Sequence, residues 1–209
     1  MRPGSNRFAR LLEASSAEIA DSIILETQDF VVAPTLGSIV PGWFLIIPRK
    51  FAPTFAAWRE QSGVNPLDVV EQAVRKLGRT SNSLWFEHGS VATGASIGCG
   101  VDHAHLHLLI DAPFGFDDLV AEVSTFDFGW QRETSVTAYE RAPTDAPYLL
   151  VGDRGSGRAS LATGVEAAGS QFFRRAIARL VNRPDEWDYR RYPMLENVRS
   201  TLERYHVDA

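Results

Sequence analysis

The sequence predicts an α+β fold built on a largely antiparallel sheet, and three observations predict it. Short β-rich runs precede, flank and follow one clear helical pattern, "NPLDVVEQAVRKLG". The first two runs, "SIILET" and "DFVVAP", are split only by Gln28-Asp29 and read as a hairpin. Hydrophobic residues make up 44% and charged residues 22% of the 209, the composition of a globular chain that buries a core of normal size. That length suits one large domain, or one domain with an extension. The expected division is a core over residues 1–112 and an extension over 113–209 belonging to the same globule.

Each element has its own reason. Phe8, Leu11, Leu12, Ile19 and Ile23 recur at near-helical spacing, so the chain is expected to open with an amphipathic helix. After the hairpin, "TLGSIVPG" is turn chemistry, and "WFLIIP" is a strongly apolar strand ended by Pro48. The clear helix carries its stripe on Leu67, Val70, Ala73, Val74 and Leu77, with Gly78 where a C-terminal cap belongs. "SLWFEHG" is a strand, residues 89–99 are a loop rich in small residues, and "VDHAHLHLLI" is the next strand. Beyond Pro113, "FDDLVAEVSTF" predicts a short helix, "SVTAYE" and "YLLVGD" a hairpin, and "DRGSGRAS" a loop. "SQFFRRAIARLV" predicts a helix with Ser170 as its N-cap, and "YPMLENVRSTLERY" a final helix.

Bulk properties exclude several function classes. With 21 Lys and Arg against 26 Asp and Glu, the net charge is −5, and no global basic field exists to attract long nucleic acid. No stretch approaches the roughly 18 apolar residues of a membrane span. Arg10, Glu13 and Glu18 interrupt the N-terminal segment, so no signal peptide or anchor is expected. The single cysteine, Cys99, fits a reducing compartment, and the expected location is the cytoplasm.

His103, His105 and His107 occupy every second position of a short apolar run, in a chain with five histidines. A strand alternates faces, so the three imidazoles share one side while Ala104, Leu106 and Leu108 pack on the other. A structural role, a metal site and nucleophilic catalysis all remain open on residue type and spacing alone. For metal, three same-face positions span about 13 Å along an extended strand, and a fourth ligand or water would be needed. For catalysis, a neutral imidazole oriented through its other nitrogen can attack phosphorus, with its neighbours donating to the phosphate.

"HAHLHLL" resembles the motif of the histidine triad (HIT) superfamily, His-φ-His-φ-His-φφ, where φ is apolar, and matches without a gap. "VPGWFLIIPRK" and "SLWFEHG" resemble the strands that precede the triad in that family, and the resemblance covers roughly residues 15–112. It implies a HIT-like antiparallel sheet, often paired as a homodimer, and a nucleotidyl hydrolase or transferase. The small-molecule substrate would be a nucleoside phosphate ester, polyphosphate or phosphoramidate, in the manner of a diadenosine-polyphosphate hydrolase, with no cofactor required. His105 falls on the nucleophile, His107 on the histidine that binds phosphate oxygens, and His103 on the one that orients the site. The alternatives are a phosphorylase or nucleotidyltransferase, a nucleotide-binding module without turnover, and a metal-dependent hydrolase.

Further candidates follow from the same alignment. Thr35 lies where the family contacts the ribose, and Glu87 and His88 stand at positions where the family carries an amide that touches the ligand. Cys99 and Gly100 stand where small members carry Gln and Ser or Thr, so backbone N–H groups there would cradle the phosphate. Pro41-Gly42-Trp43 stands where the family reads Pro-Gly-His. Outside the resemblance, Ser170, Gln171 and Arg174 open a helix whose N-terminus and guanidinium suit an anion.

Overall fold

The computed structural model describes residues 7–13, 18–78, 83–90 and 103–205. In chain order the helices are α1 (Arg7–Leu12), α2 (Phe55–Ser62), α3 (Pro66–Lys76), α4 (Phe116–Val123), α5 (Ser135–Arg141), α6 (Phe172–Leu180) and α7 (Leu195–Arg204). The strands are β1 (Leu25–Glu26), β2 (Phe30–Pro34), β3 (Trp43–Pro48), β4 (Ser83–Gly89), β5 (Leu106–Ile110), β6 (Gln131–Thr134), β7 (Tyr148–Asp153) and β8 (Arg158–Thr163). They form one sheet in the order β1-β2-β3-β5-β4-β7-β8-β6, with every neighbouring pair antiparallel. The fold is α+β, as the sequence predicts.

Both faces of the sheet are covered, which explains why β3 reads as an unbroken apolar run rather than as an alternation. On one face, Phe44, Ile46, Trp85, Leu106, Leu108 and Leu150 pack with residues of α2, α3 and α5, among them Trp58, Val74 and Tyr139. On the other, Trp43, Phe86, Leu109 and Val151 pack with residues of α4 and α6, among them Leu119, Phe172 and Phe173. Phe8 and Leu11 of α1 lie on the same side over Val31, Ala33, Leu45 and Ile47. The sheet also runs across residue 112: β7 pairs with β4 over Leu84–Gly89, so strands from the second part extend the edge of the first.

Several local expectations are corrected. The opening helix ends at Leu12; Ile19 lies in a separate 3-10 turn, Ile19–Asp21. "SVTAYE" is α5 rather than a strand. Thr134 caps it by accepting the Thr137 N–H at 3.2 Å, and Tyr139 stacks on Trp85 at 5.3 Å, a contact worth about 0.5–1.5 kcal/mol beyond burial. That packing outweighs the β propensity of Val, Thr and Tyr. The hairpin is instead β7–β8, closed by a turn in which the Asp153 carboxylate accepts from the N–H groups of Gly155 and Ser156. "RAS", expected in a loop, therefore belongs to β8, with β6 on its outer edge. Ser170 is not the N-cap of α6: Gln171 occupies that position, in the left-handed region at φ 58°.

Candidate active site

The histidines owe their placement to β5 and to the segment just before it. His107 lies within β5, flanked by Leu45 of β3 and Phe86 of β4. His103 and His105 precede the strand, yet Ala104 still faces the α2–α3 side of the core, so the imidazoles keep to the opposite side as alternation requires. The Ala104 N–H, donating to the Ala52 carbonyl at 2.7 Å, ties that segment down.

Each imidazole is oriented through one nitrogen. His103 Nε2 lies 2.7 Å from the Pro48 carbonyl, and His105 Nδ1 lies 2.9 Å from the His103 carbonyl. A carbonyl only accepts, so these nitrogens carry the protons and the lone pair of His105 is on Nε2. His107 Nδ1 accepts from the Trp43 indole N–H at 2.9 Å. All three rings are buried. Burial pushes His105 down to about 4, opposed by its bond to His103, and pushes His107 well below the usual imidazole range, with His105, Arg174 and His88 adding to the effect. Burial also lowers His103. The site is therefore neutral in its imidazoles at ordinary pH.

His105 and His107 line a cavity of about 130 Å³ together with Arg7, Phe8, Thr35, Leu36, Leu45, Arg174 and Tyr189. Beside the histidines its walls come from five places: α1, the turn after β2, β3, α6 and the segment between α6 and α7. The Thr35 hydroxyl is buried and has no protein partner. Phe8 meets His105 edge-on at 5.1 Å. Arg7 is anchored by Asp21 and the Ala20 carbonyl while reaching the cavity. Gly37 is left-handed at φ 69°, and a Cβ there would stand 2.4 Å from the Cβ of Tyr189, so glycine lets the second part close on this turn.

The remaining sequence candidates are distributed unequally. Arg174 reaches the cavity, but its Nη1 and Nη2 donate to the carbonyls of Gly37 and Leu36 at 2.6 Å, so the turn takes the fork expected for phosphate. Gln171 does not line the cavity. Its amide donates to Asp188 and accepts from the Tyr189 N–H, both at 3.3 Å, and so supports Tyr189 instead. Ser170 does not line the cavity either. Glu87 is corrected outright: strand alternation puts it on the face opposite the histidines. There it accepts from the Phe55 N–H at 2.7 Å and from Tyr148 at 2.6 Å, and burial raises it to about 7. His88 shares the face of Phe86, and both its nitrogens are buried without partners; burial lowers it to about 3. Cys99 and Gly100 lie outside the described residues. Among the described residues, no group of three or more His, Cys, Asp or Glu could hold a metal ion, and no helix is long and apolar enough to cross a membrane.

The HIT domain family matches residues 16–113, a span that holds the triad and the five strands around it. Residues 16–113 form a HIT domain. Beyond the HIT domain the chain adds β6–β8 and α4–α7. The chain is similar to a HIT family hydrolase from Clostridium thermocellum, at 19% identity over 54% of this chain and 95% of that one, with a TM-score of 0.41. A Hit-like protein involved in cell-cycle regulation from Bartonella henselae gives 18% over 52% and 80%, with a TM-score of 0.34. Yeast Ap4A phosphorylase Apa2 in complex with AMP gives 14% over 88% and 79%, with a TM-score of 0.44. No curated protein matches.

Tyr189 and Arg7 were not among the sequence candidates. Tyr189 sits in "DEWDYRRYP", where aromatic and Arg residues concentrate between two helices, a signal that was available. Arg7 carries no local signal; only the docking of α1 brings it to the site.

Proposed function

We propose that the chain is a nucleotidyl hydrolase or transferase that works through a nucleotide bonded to His105. The observation that carries this is the fixed tautomer of His105: Nδ1–H is committed to the His103 carbonyl, so a neutral Nε2 is available on a ring that lines the cavity.

The lone pair of Nε2 attacks the α-phosphorus of a nucleoside phosphate compound. A P–N bond forms, and the bond to the leaving group breaks with its electron pair going to that group. The imidazole, now substituted on one nitrogen and protonated on the other, is positive, and the His103 carbonyl on Nδ1–H stabilises it. Water, or a phosphate acceptor, then attacks the phosphorus, loses a proton to solvent, and returns the P–N electron pair to Nε2. His107 would donate to a phosphate oxygen throughout, Thr35 would meet the ribose, and Phe8, Leu36, Leu45 and Tyr189 would offer the base an apolar wall. Arg7 and Arg174 bring positive charge to the same cavity.

The test is a panel of dinucleoside polyphosphates, nucleoside phosphoramidates and nucleotide sugars, each with and without inorganic phosphate, followed by rapid quench into base. A protein-bound nucleotide, stable in base and released by acid, is the expected intermediate. His105→Ala should abolish it and lower turnover by about three orders of magnitude or more, while nucleotide affinity falls far less. Near-normal turnover in that variant would overturn the mechanism. Product formation that depends on added phosphate would assign a phosphorylase, and tight binding without turnover of any substrate a binding module.

A further inference from the structure

Trp43 stands where the resembling family has histidine, and its ring is fully buried beside the triad. Its indole N–H is a donor only, and it points at His107 Nδ1 from 2.9 Å. His107 Nδ1 must therefore accept, which leaves the ring proton on Nε2.

We propose that Trp43 is a positioning residue that locks His107 as a neutral imidazole with its proton on Nε2, so that His107 serves the site only as a hydrogen-bond donor. The tautomer follows from the geometry alone; its kinetic consequence rests on the reading of His105 as nucleophile. Protonating Nδ1 would set one N–H against another in a dry environment, at a cost no neighbouring group offsets. Phe86 stacks on His107 at 4.6 Å and His105 meets it edge-on at 5.2 Å. The titratable and charged groups that face it are His105, His88 and Arg174, none of them a carboxylate; Glu87 lies on the other side of the sheet. All three disfavour a cation at His107.

Trp43 is itself held. Phe86 meets the indole at 5.7 Å, and the Arg174 guanidinium lies 4.8 Å from its ring centre. Arg174 is anchored by the Leu36 and Gly37 carbonyls, so α6 reaches through it to the residue that orients the triad. A donor fixed in this way keeps its proton on a bound phosphate at every working pH. It cannot cycle through an imidazolium as a general acid or base.

The experiment is long-range proton–nitrogen NMR of the histidine rings in the full chain, titrated from pH 8 downward until the protein unfolds. His107 should show a bare Nδ1 and a protonated Nε2, unchanged while the fold persists. An Nδ1–H tautomer, or titration to the imidazolium in the folded protein, would overturn the proposal. Trp43→Phe keeps an aromatic ring and removes the donor. It should free His107 Nδ1 to carry the ring proton, so that the Nε2–H tautomer no longer dominates, and lower kcat about tenfold with a smaller change in KM, the effect of losing one hydrogen bond. An unchanged kcat alongside a freed His107 would show that the lock does nothing for catalysis. Absence of the His105-linked nucleotide in the quench experiment would instead sink the mechanism while leaving the tautomer result standing.

Discussion

The chemistry of His105 depends on a single carbonyl. Because His103 contributes its C=O to His105 Nδ1, the lone pair that the proposed mechanism uses is already on Nε2. Burial then keeps that nitrogen unprotonated, holding the group at about 4 rather than its ordinary 6.5. In the proposed mechanism the nucleophile must be neutral, so activity should be lost as pH falls through that value. The acid limb of kcat/KM should therefore lie near pH 4. A dinucleoside polyphosphate is the right substrate, since it has no phosphate that titrates near neutrality. A limb near 6.5 in a brief pH-jump assay would show that His105 is solvated like an ordinary histidine.

At the scale of elements, the N-terminus of α6 acts by support rather than by contact. Sequence reasoning aimed Gln171 at an anion; its amide is engaged with Asp188 and Tyr189, and it is Tyr189 that lines the cavity. Both bonds are long at 3.3 Å, so each contributes weakly. Gln171→Ala should raise KM for nucleotides about two- to tenfold with little effect on kcat, the range for about 0.5–1.5 kcal/mol of lost positioning. Tyr189→Ala should act in the same direction, and the double variant should be no worse than Tyr189→Ala alone, because one residue works through the other. A Gln171→Ala effect confined to kcat would point to phosphate contact instead. The other helix end at issue, that of α2, explains Glu87. Its carboxylate accepts from the Phe55 N–H at the first turn, where negative charge is favoured.

For the whole molecule, buried histidines make stability depend on pH. His88, His103, His105 and His107 all have their folded values lowered, His88 to about 3 and His105 to about 4. Below pH 6.5 the unfolded chain binds protons at these sites that the folded chain refuses, so stability falls as pH falls. Glu87 opposes this. Raised to about 7, it binds its proton in the folded state first, so its contribution is present below its unfolded value of 4.5 and is lost as pH rises through about 7. Four groups outweigh one between these limits. Urea midpoints should drop steadily from pH 6.5 to pH 4, at up to about 1.4 kcal/mol per pH unit for each net proton. The decline should be shallower in His88→Phe. A flat profile would mean that water reaches these rings.

The sequence by itself determined the elements whose signals are local. The period-2 histidines beside Leu106 and Leu108, the stripe and caps of α3, and the apolar run of β3 each carry their own pattern, so the antiparallel α+β frame and the triad were legible. Even α2 was marked, by Thr54 and Gly63 at its ends, though its short length hid it. Only the tertiary structure decided the rest. "SVTAYE" became a helix because Trp85 was there to stack on Tyr139. Alternation alone sends Glu87 and His88 to opposite faces, but which of them shares the histidines' side was settled only by the packing of β4 between β5 and β7. Arg7, Tyr189 and Arg174 meet around His105 because α1 and α6 pack on one side of the sheet and the turn at Gly37 admits Tyr189. Such contacts span long stretches of sequence, 137 positions between Gly37 and Arg174, and no local pattern encodes them. Their free energy comes from burying apolar surface in layers, a property of the assembled sheet and its helices rather than of any one segment.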